Sequence, residues 1–199
     1  MQFSELLASE GVREECVLRG TFGFMAFHGG QLEEVTDVIA RTAAERSGAS
    51  YYGVLQPDIL EWHIPSHRVT ADQSPQLASF LGHVDTVITV HGYGRAGFFT
   101  SLLLGGGNRR LAAHLGGLIR QHLPAYDVVD DIDSIPKDLR ASISAKVPLR
   151  WRRQPQFRRF GVINVNRFFA HHAEHPEIAL VTKEPGQTRN IGGGWHTDH

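Results

Sequence analysis

Two segments of the 199-residue chain end a buried-looking apolar run in His-Gly. The first, FGFMAFHGGQLEE, carries His28 at the exit of the run and Glu33 five residues later. The second, DTVITVHGYGR, carries His91 in the same position. In parallel α/β sheets the carboxyl ends of strands are where sites form, because a side chain there stands on a rigid element and faces a crevice. Glycine after each histidine lets the chain turn sharply and lets a ligand approach the backbone. Two neutral imidazoles and one carboxylate offer a metal ion three donors and leave a fourth position for water. That is the pattern of catalytic rather than structural zinc. Either His-Gly alone reads as a turn with a hydrogen-bonded histidine. The two together, with Glu33, favour a metal.

The other histidines carry less. His63 lies in an apolar run and reads as a hydrogen-bonded core histidine or a neighbour of the ligands, not as a ligand. His67 stands in a loop, and His83, His114 and His122 fall on or beside helices without a partner at ligand spacing. Asp85, just before TVITV, reads as a turn residue.

Alternating strand and helix patterns supply the frame. Cys16–Arg19 and Phe22–His28 read as strands. Glu33 to Ser47 reads as a helix, with apolar residues recurring at spacings of three and four, acids in the first turn and Gly48 after the last. Strands are expected at Ser50–Leu55 and at Ile59–Ile64, where Pro65 stops the run. Pro75 opens a short helix through Leu81. Thr86–Val90 is the clearest strand, its β-branched residues consecutive as in a strand buried on both faces. Phe98–Leu104 is a further apolar run, and Asn108 caps a helix to His122. Tyr126–Val129 is a brief strand. The pattern predicts an α/β fold, a mostly parallel mixed sheet flanked by helices.

Composition excludes several classes. Apolar residues at 41% and charged residues at 21% suit a chain that buries a core. The single Cys16 excludes a disulfide framework and a cysteine-only zinc site. No apolar run approaches the roughly 18 residues of a membrane helix. The first residues, MQFSELLASEGVREE, are acidic where a secretory signal is basic, so a cytoplasmic protein is expected, with release from the cell still open.

Four stretches in this order, FMAFHGGQLEE, LEWHIPSHRVT, DTVITVHGYG and GGGNRRLAAHL, resemble the phage-type poly-γ-glutamate hydrolases. These are zinc-dependent amidohydrolases similar in core architecture to the metallocarboxypeptidases. The resemblance runs from about Val17 to Leu139. It implies that His28, Glu33 and His91 hold Zn2+, which would lower the pKa of its water toward ~7 and polarise the scissile carbonyl. It implies a polyanionic γ-linked glutamyl polymer or peptide as substrate. Arg109, at a helix start after three glycines, is then a candidate for pairing with a substrate carboxylate. Asn108 beside it reads as a further donor or simply as the cap, Tyr93 as a pocket residue or as packing, and Arg95 as a weaker second cation.

The texture changes near Arg140. Residues 1–140 hold 11 Lys+Arg and 17 Asp+Glu, a net of −6, whereas residues 141–199 hold 9 and 4, a net of +5. The expected organisation is a zinc-hydrolase-like α/β domain over 1–140 and a divergent basic, His-rich tail over 141–199. Enzymes of the resembled type take their general base from a glutamate on a late Gln-x-Glu strand. The tail's acids are Glu174, Glu177, Glu184 and Asp198, none in that context, so the catalytic base is left unknown. A grafted module, a diverged ending and a shifted reading frame each account for this. Two other classes stay open: a non-catalytic zinc-binding module, and a nucleic-acid-binding protein acting through the arginines and aromatics of VPLRWRRQPQFRRF. The near-neutral whole chain counts against the second. His171, His172, His175, His196 and His199 are read as adventitious metal donors. The oligomeric state and the mode of cleavage have no signal in the sequence.

Overall fold

The computed structural model describes residues 2–93, 100–134 and 160–166. Consecutive β-branched residues make β4 (Thr86–Tyr93) the centre of the sheet. Before it come α1 (Phe3–Leu7), β1 (Arg13–Val17), β2 (Gly20–Gly30), α2 (Thr36–Ser47), β3 (Ala49–Gln56) and α3 (Pro75–His83). After it come β5 (Ser101–Gly105), α4 (Arg109–His122), β6 (Asp127–Val129) and β7 (Phe160–Asn166). The seven strands lie in the order β1-β3-β2-β4-β7-β5-β6. β2 is parallel to β3 and β4, β4 to β7, and β5 to β6. Only β1 against β3 and β5 against β7 are antiparallel. The mostly parallel mixed sheet flanked by helices is therefore what forms.

Alternation along the strands builds two cores. Phe24, Ala26, Tyr51, Ile88, Val90, Leu102 and Leu104 pack with Ala40, Ala43 and Ala44 of α2 and Leu115 and Ile119 of α4. Met25, Phe27, Tyr52, Val54 and Val87 pack on the opposite face with Phe3 and Leu6 of α1 and Leu77, Phe80 and Leu81 of α3. Ser74 caps α3 by accepting from the Leu77 amide, and Asn108 caps α4 by accepting from the Leu111 amide at 3.0 Å. Among the described residues no helix is long and apolar enough to cross a membrane.

Three local expectations differ from the structure. The helix expected from Glu33 begins at Thr36, because Val35 adopts a left-handed φ of 70° that a helix cannot continue through. Ile59–Ile64 is a loop rather than a strand. Its backbone polar groups are met by local carbonyls and by side chains: Leu60 donates to the Pro57 carbonyl, and the Gln56 amide bonds both the N–H and the carbonyl of Trp62, at 3.0 and 2.9 Å. Phe160–Asn166, which no pattern marked as an element, forms β7 between β4 and β5. The rest of residues 135–199 lies outside the described residues. That covers the arginine-aromatic run up to Arg159, the four acids of the tail and its five histidines. Arg95 and Phe98 also lie outside them.

Candidate metal centre

The centre starts from a β-bulge. β2 pairs with β3 in register at Met25–Tyr52 and Ala26–Gly53, and pairing resumes at Gly29–Leu55. Three steps along β2 therefore oppose two along β3, so one residue is extra. Phe24 and Ala26 face α2 while Met25 and Phe27 face α3. Strict alternation would turn His28 toward α2. The bulge leaves Phe27 and His28 on the same side, with ring centroids 4.6 Å apart. His91 reaches this face by ordinary alternation, since Ile88 and Val90 point the other way. Its ring lies 4.7 Å from Phe27 and 5.2 Å from His28.

Glu33 joins the two imidazoles. The loop after β2 folds back so that the Glu33 amide donates to the His28 carbonyl at 2.9 Å. One carboxylate oxygen then stands 3.0 Å from His28 Nδ1 and the other 3.3 Å from His91 Nδ1. The Gly92 amide donates to the second oxygen at 2.9 Å. A side chain at Gly92 would place its Cβ 3.0 Å from the Glu33 Cβ, so a glycine is what lets the carboxylate sit here. Gly30, at φ +71°, passes so close to Gln56 that a Cβ would strike its carbonyl oxygen. The loop is thereby pressed against the end of β3.

The electrostatics identify what the cluster needs. His28 is 1% exposed and His91 8%, and the Glu33 side chain is 11% exposed. Burial alone would raise the Glu33 carboxyl, but the charges and hydrogen bonds of His28 and His91 hold it well below the ordinary carboxylate range. His28 Nε2 lies 2.8 Å from the Ile64 carbonyl, which only accepts, so Nε2 carries the proton. When the ring carries no second proton, Nδ1 presents a bare lone pair to a carboxylate oxygen. Two facing acceptors repel unless a proton or a cation lies between them. The chemistry of the donor set fits a metal ion: His28, Glu33 and His91 each offer one ligand atom, and these atoms lie within 4.8 Å of one another. The carbonyl behind His28 is the kind of partner that fixes the tautomer of a metal-binding histidine.

His63 stands beside this cluster, not in it. The residue is exposed, and its ring is tilted 41° to that of His28 and 4.4 Å from it. Burial of part of the ring, and then the neighbouring His28, hold its pKa below the ordinary histidine value. Tyr93 follows His91 on β4, and its hydroxyl donates to the Ser101 carbonyl at 2.8 Å.

Arg109 and Asn108 are not brought to the histidines. β5 runs antiparallel to β7, which runs parallel to β4, so α4 starts from the opposite end of its strand to the one that carries His91. The Arg109 guanidinium donates to the carbonyls of Leu104 at 3.2 Å, Gly106 at 3.4 Å and Asp130. It closes the ends of β5 and β6, two strands from β4. Asn108 acts as the cap of α4.

Sequence reasoning passed over Phe27, Gln56 and the Ile64 carbonyl. A carbonyl leaves no mark in residue types, and a bulge none in apolar periodicity. Gln56 alone had a signal, as an amide directly before a proline at the end of an apolar strand.

The sequence profile described as poly-gamma-glutamate hydrolase matches residues 2–131, which include all three residues of the cluster. Among solved structures, a bacteriophage poly-gamma-glutamate hydrolase is similar at a TM-score of 0.66 and 14% identity, over 89% of this chain and 90% of that one. The zinc-free apo form of YNDL is similar at a TM-score of 0.64 and 19% identity, over 86% of this chain and 81% of that one. No curated protein matches.

Proposed function

The chain belongs to the poly-gamma-glutamate hydrolase family, and from that premise we propose that it hydrolyses γ-glutamyl amide bonds at a zinc ion held by His28, Glu33 and His91. The observation that carries the reading is the pair of imidazole Nδ1 atoms facing the two oxygens of one buried carboxylate. A zinc ion held by these three residues would supply Lewis-acid polarisation of the scissile carbonyl and a water of lowered pKa.

The chain's own residues prepare the place for it. Ile64 holds the proton of His28 on Nε2 and so directs Nδ1 inward. The Gly92 amide fixes one carboxylate oxygen of Glu33 and the geometry of the loop fixes the rest. Phe27 packs edge-on against both imidazoles and keeps their inner side dry. A low local dielectric strengthens each of these interactions. The substrate is a polyanionic γ-linked glutamyl polymer or peptide. Arg109, engaged with three carbonyls, is assigned to closing β5 and β6 and not to its carboxylates. The general base is assigned to none of the described residues. The division at residue 140 stands as a proposal in which β7 of the later part completes the sheet of the earlier one.

The test is release of new amino groups from poly-γ-glutamate by the zinc-loaded protein, beside its Glu33→Gln variant. Cleavage by the first and not the second supports the reading. Zinc bound with no amine released would make the chain a non-catalytic zinc-binding module.

A further inference from the structure

We propose that His63 is a substrate-contacting residue whose imidazole hydrogen-bonds an amide of the glutamyl chain at the mouth of the metal centre, and that Gln56 is the residue that positions it. The inference rests on the reading of the centre as a γ-glutamyl hydrolase site.

The loop between β3 and α3 is held at two points. Its two residues flanking His63 are both fixed. On one side, the side-chain amide of Gln56, itself 2% exposed, bonds both backbone groups of Trp62. On the other, Ile64 is 3% exposed, and its carbonyl accepts from His28 Nε2 at 2.8 Å. Pro65 then restricts the chain further. A buried amide answering two backbone groups of one residue is the means by which a loop without secondary structure acquires a single conformation.

Between these anchors His63 alone is turned out. The residue is exposed while His28 and His91 are buried, yet its ring lies 4.4 Å from that of His28. A chain bound at the three buried donors has this imidazole beside it, one ring away from His28. That imidazole has one donor and one acceptor when neutral, and a secondary amide offers the complement of both. Poly-γ-glutamate repeats such an amide at every residue. Because Gln56 and Ile64 hold the backbone in advance, the contact costs little ordering when substrate arrives.

His63 is exposed, so its replacement leaves the fold in place. The experiment compares wild type, His63→Ala and His63→Asn for zinc content, thermal midpoint and kcat/KM on poly-γ-glutamate. The expected result is zinc and midpoint unchanged in both variants. kcat/KM in His63→Ala falls on the order of tenfold to a hundredfold. His63→Asn, which keeps a donor and an acceptor, recovers part of the loss. Wild-type kcat/KM in His63→Ala, or loss of zinc in step with activity, overturns the proposal while the hydrolase reading stands. Recovery by Asn that does not exceed Ala also overturns it. An inactive zinc-loaded wild type overturns the hydrolase reading and this inference with it.

Discussion

Phe27 and His28 are consecutive in β2, yet both rings point to the face of the sheet that carries α3, 4.6 Å apart. In an unbroken strand they would point to opposite faces. The bulge that aligns them sets the site, because it puts His28 on the side where ordinary alternation puts His91. Glu33 then needs only a five-residue return to lie between the two imidazoles.

Gly92 tests how tightly the carboxylate is placed. The added methyl of Gly92→Ala meets Glu33 at 3.0 Å from its Cβ and 3.2 Å from its Cγ, so the carboxylate must shift by a few tenths of an ångström. Zinc affinity should fall by about tenfold or more, since disturbing the partners that orient ligands has that scale. Competition against a chelator measures it. An affinity equal to wild type would mean Glu33 is not held as described.

Gln56→Ala removes a buried amide, leaves the Trp62 carbonyl without that partner and leaves the Trp62 N–H with the Leu60 carbonyl alone. The expected cost is about 2 kcal/mol by denaturant unfolding. If Gln56 positions His63, kcat/KM should fall in Gln56→Ala even at temperatures where the variant is fully folded and zinc-loaded. A cost below about 0.5 kcal/mol would show that the loop is held by other contacts.

Val35 holds a left-handed φ of 70° directly before α2. A β-branched residue there carries strain of about 1–3 kcal/mol. Val35→Gly should therefore raise stability by about 1 kcal/mol, net of the greater freedom of glycine in the unfolded chain. A loss of stability would show that packing of the valine outweighs its backbone strain.

Much of this was legible in the sequence, and the reasons are local. β4 announces itself by consecutive β-branched residues, α4 by Asn108 and a one-sided apolar face, and the cluster by two histidines at strand ends with Glu33 five residues after the first. What was hidden depends on partners distant in sequence. The segment from Ile59 to Ile64 has strand-like residues, but its backbone is claimed by the Gln56 side chain and by His28. The carbonyls around Arg109 come together only when β5 and β6 pair, so a charged residue after three glycines looked available for a ligand. β7 lies among arginines that mask its pattern, and its position follows from pairing with both β4 and β5.

Acid titration of the metal-free protein examines Glu33 itself. Against the effect of burial, His28 and His91 hold its carboxyl below the ordinary value of 4.5. A carboxyl depressed by folding contributes stability that is fully present above its unfolded pKa and lost as pH falls through the folded one. The stability advantage of wild type over Glu33→Gln should therefore shrink as pH is lowered from about 5. An advantage that stays constant or grows on acidification would contradict the ion-paired centre.

The most direct measurement is zinc stoichiometry by elemental analysis on the full chain, beside a variant carrying both His28→Ala and His91→Ala. The histidines of the last 29 residues are kept in both, so any metal they capture cancels. Wild type should hold one more zinc per chain than the variant. Equal zinc in the two proteins would contradict a metal centre at His28, Glu33 and His91.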